Sequence, residues 1–270
     1  MSRATHAPLV ILGAGYTGRF IYRAARRRRR PVFATSRDPE AHLSFAQPHH
    51  RIRFDLWEPD TWTRIPPKSD IIWCFPALPR DVAGAFAQHA IDRNSRLVLL
   101  GSTSAYRAGR PGLIDERVPV NPSLPRVSSE EQLRTTFGAT VLRLSGLYGP
   151  GRHVFDWIRK GKIKNTTKYV NLIHVEDVAE LCLLALQYAA PGSTYIVSDG
   201  QPRSWAEICR FAADRFHIAV PPATATRETG KRLSPGKILS DFNYRLEHPD
   251  LFKALGELES GNSGATSLHS

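Results

Sequence analysis

The chain has 270 residues, 41% hydrophobic and 23% charged, an ordinary globular composition that suits one large α/β domain or one domain with a small lobe. No apolar run approaches the ~20 residues that cross a bilayer, and the N-terminus lacks the charged-then-apolar order of a secretory leader; a cytoplasmic protein without a membrane partner is expected. The net charge of +12 raises nucleic-acid binding, but much of the excess is the run Arg26–Arg30, which reads as a solvated helix end without aromatic–basic interleaving, so no nucleic-acid partner is expected.

In chain order, Leu9–Leu12 is an apolar run of the kind buried on both faces of a parallel sheet. It runs into Gly13-Ala14-Gly15-Tyr16-Thr17-Gly18 and then a helix to about Arg28, with Phe20, Ile21, Ala24 and Ala25 on one face. Pro31 breaks that helix, and Val32–Thr35 is the second strand. A glycine motif between a strand and a helix is a dinucleotide-binding turn, and residues 9–38 form the unit. Gly13 permits the tight turn, Gly15 lets the backbone approach a pyrophosphate, and Gly18 allows close helix–strand packing. Tyr16 and Thr17 begin the helix whose N-terminus faces the phosphates.

The end of the second strand bears on the cofactor. An acid there would hold the ribose 2′-hydroxyl; this chain has Thr35-Ser36-Arg37, in which Arg37 can pair with a 2′-phosphate and Ser36 can donate to it. Asp38 could take the acidic role if the strand ran one residue longer. NADP is therefore favoured over NAD. Asp55, after the third strand, is placed either to accept from the adenine amino group or to cap the strand end.

Arg51–Phe54, Ile71–Phe75 and Arg96–Leu100 read as further strands, with a helix from about Arg80 to Asn94. Thr140–Leu144 and Tyr169–Ile173 follow, then a helix over Val175–Ala189, a strand at Thr194–Val197 and a helix over Trp205–Phe216. This alternation means a doubly wound parallel sheet, a Rossmann fold, with a small C-terminal lobe facing the substrate. Residues 1–150 carry the nucleotide-binding core, residues 151–255 the remaining sheet elements and the lobe, and Gly256–Ser270, rich in Gly and Ser, reads as a disordered tail. Cys74, Cys182 and Cys209 show no metal-ligand spacing and read as buried thiols in a reducing compartment; no metal is expected.

Several blocks resemble the extended short-chain dehydrogenase/reductases, the group of sugar-nucleotide epimerases and dehydratases. They are Gly13–Gly18, Asp55, Gly101-Ser102-Thr103-Ser104-Ala105-Tyr106, Leu142–Arg152 with its Tyr-Gly-Pro-Gly turn, Asn171–Ala179, and Tyr195–Gly200, together spanning about residues 8–245. The resemblance implies a catalytic Ser or Thr four residues before the Tyr of the fifth strand, here Ser102 with Thr103 as the near alternative. It also implies a Tyr acid/base and a Lys four residues later. The matching stretch Asn121–Glu131 has neither: a Pro or Arg stands where the Tyr belongs and Glu130 where the Lys belongs.

Arg126 stays protonated and could stabilise an oxyanion without shuttling a proton; Glu130 could shuttle one, though a helix N-terminus favours its ionised form. The resemblance is thus to the atypical branch, with cofactor architecture retained and the usual dyad missing. Tyr106 and Tyr148 read mainly as packing, with Tyr148 also within reach of a substrate, and Arg152 suits an anionic substrate group. His174 and Asp177 read as fixing the start of the helix that follows. The expected function is an NADP-dependent oxidoreductase or epimerase/dehydratase-like enzyme on a small carbonyl or hydroxyl substrate, sugar nucleotides included, with a homodimer among the assemblies allowed. The alternative is a non-catalytic NADP(H)-binding sensor or scaffold.

Overall fold

The computed structural model describes residues 7–107, 112–224 and 229–266, with side chains through residue 261. Seven strands form the main sheet: β1 (Leu9–Leu12), β2 (Val32–Ser36), β3 (Arg51–Arg53), β4 (Asp70–Trp73), β5 (Arg96–Ser102), β6 (Thr140–Leu144) and β7 (Thr194–Val197). Their order is β7-β6-β5-β4-β1-β2-β3, and every neighbouring pair is parallel. The order reverses between β1 and β4, the switch point beside which doubly wound sheets open a ligand crevice.

Both faces are covered. Helix α1 (Tyr16–Arg27) and a long helix at Val175–Tyr188 pack Ile21, Ala25, Leu181 and Cys182 against Leu9, Ile11 and Val98. On the opposite face, α2 (Arg80–Asp92) and α3 (Pro125–Phe137) bring Phe86, Ala87 and Leu133 onto Val10, Leu12 and Trp73. The alternating parity of β1 explains the division, since successive strand side chains point to opposite faces. Within α1, Tyr22 joins the buried stripe while Phe20 is half-buried.

The arginine run is not merely solvated. Arg27 and Arg28 pair with Glu180 of α4 (Val175–Tyr188), and Arg30 pairs with the buried Asp70, which also accepts from Arg96 Nε at 2.7 Å. These ion pairs tie the end of α1 to its neighbouring helix and to the foot of β4.

The C-terminal half adds a lobe beyond the strand ends. Tyr169–Ile173, expected as one strand, is two: Tyr169–Val170 pairs antiparallel with Arg203–Ser204, and Leu172–His174 pairs parallel with Gly146–Tyr148. The chain changes partner at Asn171, whose amide spans Lys231 O at 2.8 Å and Leu233 N at 2.9 Å. A helix at Trp205–Phe216 carries a full capping box in which Ser204 and Glu207 satisfy each other's backbone N–H groups.

The expectation of a disordered tail from Gly256 does not hold through residue 266. Helix Leu251–Thr266 continues across it, because Leu251, Ala254 and Leu255 dock with Ile208, Cys209 and Phe155 and carry the glycines that follow. Residues 267–270 lie outside the described residues. Among the described residues no helix is long and apolar enough to cross a membrane.

Candidate functional site

The site is built on the turn between β1 and α1. Gly13 has φ +72°, the left-handed region, where its N–H donates to Thr35 Oγ1 at 3.1 Å and a Cβ would come within 2.6 Å of the Phe75 ring. The first intrahelical bond runs from Arg19 N–H to Gly15 C=O at 3.0 Å, so the N–H groups of Tyr16, Thr17 and Gly18 have no intrahelical partner. No acid stands in the first turn of α1. Gly18 lies against Ile11, with a would-be Cβ 3.1 Å from its Cγ2, which is the close helix–strand approach. At Gly15 a Cβ would meet nothing within 4 Å: it would project into open space beside those N–H groups. Burial pushes the Tyr16 phenol up to about 12, against the opposing charge of Arg152, and its hydroxyl has no hydrogen-bond partner among the described residues. Unspent N–H donors, a vacant approach at Gly15 and an unpaired buried hydroxyl fit an anionic diphosphate.

Two cavities meet at Gly13 and Gly15. One, of about 560 Å³, runs toward β2 and β3 and is lined by Arg19, Ser36, Arg37, His42, Asp55 and Trp57 among others. The other, of about 410 Å³, runs toward β5 and β6 and is lined by Tyr16, Thr17, Gly18, Gly101, Ser102, Ser145 and Arg152 among others. The glycine turn therefore sits at the middle of a trough with an end for each half of a dinucleotide.

At the first end, Asp38 caps a helix. Its Oδ1 accepts from Ala41 N at 3.1 Å as the cap of a short helix at Pro39–His42. Ser36 Oγ accepts from Asp38 N at 3.2 Å and pairs with His42 Nδ1 at 3.0 Å. Asp55 lines the cavity while its Oδ1 accepts from Trp57 N at 3.0 Å, so it orders the turn that presents Trp57, which is 67% exposed. Arg19, His42 and Trp57 were not singled out from sequence. Only Arg19 carried a signal, its position directly after Gly18 in the first turn of α1.

At the second end, Ser102 closes β5. Its Oγ donates to Ser104 Oγ and accepts from Ser104 N, each at 3.2 Å. Thr103 Oγ1 instead donates to Leu144 O at 3.3 Å, which ties it to β6, and of the two only Ser102 lines this cavity. Where a Tyr–Lys pair would stand, α3 carries Arg126 and Glu130. Arg126 Nη2 donates to Ser104 Oγ at 2.8 Å, and its Nε lies 3.3 Å from Glu130 Oε1. Glu130 is buried beneath Gly101; burial raises its carboxyl pKa, with Arg126 and Arg143 pulling it down.

The two substrate-side residues differ in exposure. Tyr148 is wholly buried, edge-on to His174 with ring centroids 5.1 Å apart, and lines neither cavity. Arg152 lies over the Tyr16 ring, 5.7 Å from its centroid, and lines the cavity beside the glycine turn. His174 does cap α4, accepting from Glu176 N at 3.4 Å, but Asp177 serves the lobe. Its carboxylate accepts from Tyr244 Oη and from the N–H groups of Glu247 and His248 at 2.7–3.1 Å. His174, Glu176 and His248 bring ligand-type atoms within 4.8 Å of one another. The grouping closes on itself, through the cap bond, a His248–Glu176 contact of 3.0 Å and rings 3.7 Å apart.

Near the lobe, burial pushes the Asp199 carboxyl up to about 7, while Gln201 N–H and Arg203 act in the other direction. Its Oδ2 has no partner among the described residues. The folded protein thus keeps a proton that the unfolded chain releases near pH 4, and stability should fall as pH rises from about 4 to about 7, then level off. Asp199→Asn is expected to flatten that slope and to stabilise the protein at pH 8 by on the order of 1–4 kcal/mol. Urea unfolding across this range reads the effect; an unchanged slope would contradict it.

No family model matches the chain. Protein YeeZ of Escherichia coli K12 is 28% identical over 171 residues, which is 58% of this chain; the match spans only 60% of that protein. A structure from Methylobacillus flagellatus assigned as an NAD-dependent epimerase/dehydratase superposes with a TM-score of 0.80 at 24% identity, covering 95% of this chain and 99% of that one. dTDP-glucose 4,6-dehydratase from Bacillus anthracis, solved with NAD, gives 0.74 at 11% identity over 95% and 97% of the two chains.

Proposed function

We propose that this chain, whose fold is that of the extended short-chain dehydrogenase/reductases, is an NADP-dependent oxidoreductase or epimerase/dehydratase-like enzyme acting on a small carbonyl or hydroxyl substrate. The observation that carries the cofactor is the fate of Asp38. With its carboxylate turned into a helix cap, the ribose end of the trough presents Ser36, Arg37, Arg19 and His42. Two guanidinium groups suit a 2′-phosphate, whose charge-assisted bonds are about twice as strong as neutral ones. A nicotinamide dinucleotide, when bound, would donate a hydride to a carbonyl in its reduced form or accept one from an alcohol in its oxidised form. The chain's own part is to hold the diphosphate on the N-terminus of α1 and to aim Ser102 at the reacting oxygen. Ser102 Oγ, held by Ser104 N–H, would turn its proton from Ser104 Oγ to a substrate carbonyl and favour charge on its oxygen.

Arg37→Ala is expected to weaken NADP+ binding by about 10- to 100-fold, the usual cost of one hydrogen-bonded charge pair, and to leave NAD+ binding nearly unchanged. Calorimetric titration of both dinucleotides decides this. Tighter binding of NAD+ than NADP+ by the wild-type protein would overturn the assignment.

A non-catalytic sensor or scaffold is the second reading. The Arg126–Glu130 pair favours it, since a permanently charged guanidinium at the position of the acid/base cannot move a proton. Tight NADPH binding without turnover across carbonyl and alcohol classes is the result it expects.

A further inference from the structure

The turn after Ser102 is held by cations from two distant parts of the chain. Arg126, near the start of α3, donates to Ser104 Oγ at 2.8 Å. Lys231, from the C-terminal lobe, donates through Nζ to Thr103 O at 2.8 Å. Among the described residues Lys231 makes no ion pair, and Arg126 makes one. The partner of Arg126 is Glu130, a carboxylate 3% exposed that also faces Arg143 and whose burial favours its neutral form. The first turn of α3 has no acid and no side-chain cap, so its N–H groups add to the positive field. Lys231 is half-buried, and its pKa is lowered by that burial and then by the nearby charge of Lys168. Like charges gathered at partial burial are costly unless something negative joins them. Ser104, which holds Arg126, is exposed, and the carbonyl of the adjoining Thr103 holds Lys231.

We propose that Arg126, Ser104 and Lys231 bind an oxyanion group of the substrate, a carboxylate or phosphate carried beside the carbonyl that Ser102 polarises. This rests on the reading of Ser102 and the cofactor given above. The residue that replaces the absent tyrosine then has a positive task. The guanidinium offers a planar fork to the anion, and Lys231, held on the carbonyl of the adjoining residue, adds a second charge. Substrates would be small acids or phosphates with an adjacent carbonyl or hydroxyl.

The test titrates oxamate and inorganic phosphate into the full chain by calorimetry, with and without NADP+, for the wild type, Arg126→Gln and Lys231→Gln. Saturable binding of one anion is expected, weakened about 10- to 100-fold in each variant, with melting temperatures and NADP+ affinity preserved. Preference for oxamate identifies a carboxylate, and preference for phosphate a phosphoryl group. Should Arg126→Gln fail to fold, Arg126→Lys keeps the charge without the fork and should bind the anion more weakly than wild type. Absence of saturable binding for both anions overturns the site, as does unchanged affinity in either glutamine variant. Anion binding that depends on both residues, in a protein that binds no NADP+, would keep this site and remove the cofactor assignment.

Discussion

Gly15→Val is expected to yield a folded protein that no longer binds a dinucleotide. A side chain at this position meets no protein atom within 4 Å, so the sheet, α1 and their packing have nothing to yield to. The same open space lies on the trough beside the N–H groups of Tyr16, Thr17 and Gly18, where a diphosphate must approach the backbone. The added isopropyl group there excludes the ligand while leaving the apolar core unchanged. Affinity should fall by more than about 100-fold, with a melting temperature near that of the wild type. The contrast is Gly13, where positive φ and the Phe75 ring at 2.6 Å make any side chain a folding defect. Unchanged dinucleotide affinity in folded Gly15→Val would place the cofactor elsewhere.

Ser102→Ala is expected to lower turnover by about 10- to 1000-fold with little change in NADP+ affinity, as losing one preorganised donor commonly does. Thr103 cannot readily substitute, because its hydroxyl is committed to Leu144 O and its carbonyl to Lys231. Tyr106→Phe and Tyr148→Phe should cost far less in activity. Both rings are buried, and burial raises both phenol pKa values, which disfavours the phenolate that a base would need. A screen of carbonyl substrates followed by NADPH absorbance, then single variants, measures these effects. A large loss in either Tyr variant with Ser102→Ala near wild type would mean that a tyrosine acts as the acid/base after all.

Much of the sheet was legible because its signals are local. Leu9–Leu12, Thr140–Leu144 and Thr194–Val197 are apolar or β-branched runs bounded by breakers, and the structure has them at those residues. The glycine turn was legible for the same reason. Two-residue strands such as Arg203–Ser204 and Arg232–Leu233 carry no periodicity and exist only through their partners. Glycines and serines after residue 256 imitate a tail, and what overrides them is the docking of Leu251 and Leu255 onto another helix.

The site was legible in proportion to how local it is. Ser36, Arg37 and Ser102 stand at strand ends and could be placed directly. The commitment of Asp38 to a cap has a local signal in Asp38-Pro39, a cap residue before a Pro at the first helical position, on a helix of only four residues. Tyr148 looked available because its motif sits at a turn, whereas the lobe folds over it. Lys231 reaches Thr103 across 128 residues of sequence, a contact visible only once the lobe is in place.

A crystal structure with NADP+ bound tests the central claim most directly. The account predicts the diphosphate on the N-terminus of α1 over Gly15, the 2′-phosphate against Arg37 and Ser36, and the nicotinamide C4 facing Ser102. A dinucleotide bound away from Gly13–Gly18, or one whose nicotinamide lies remote from Ser102, would contradict it.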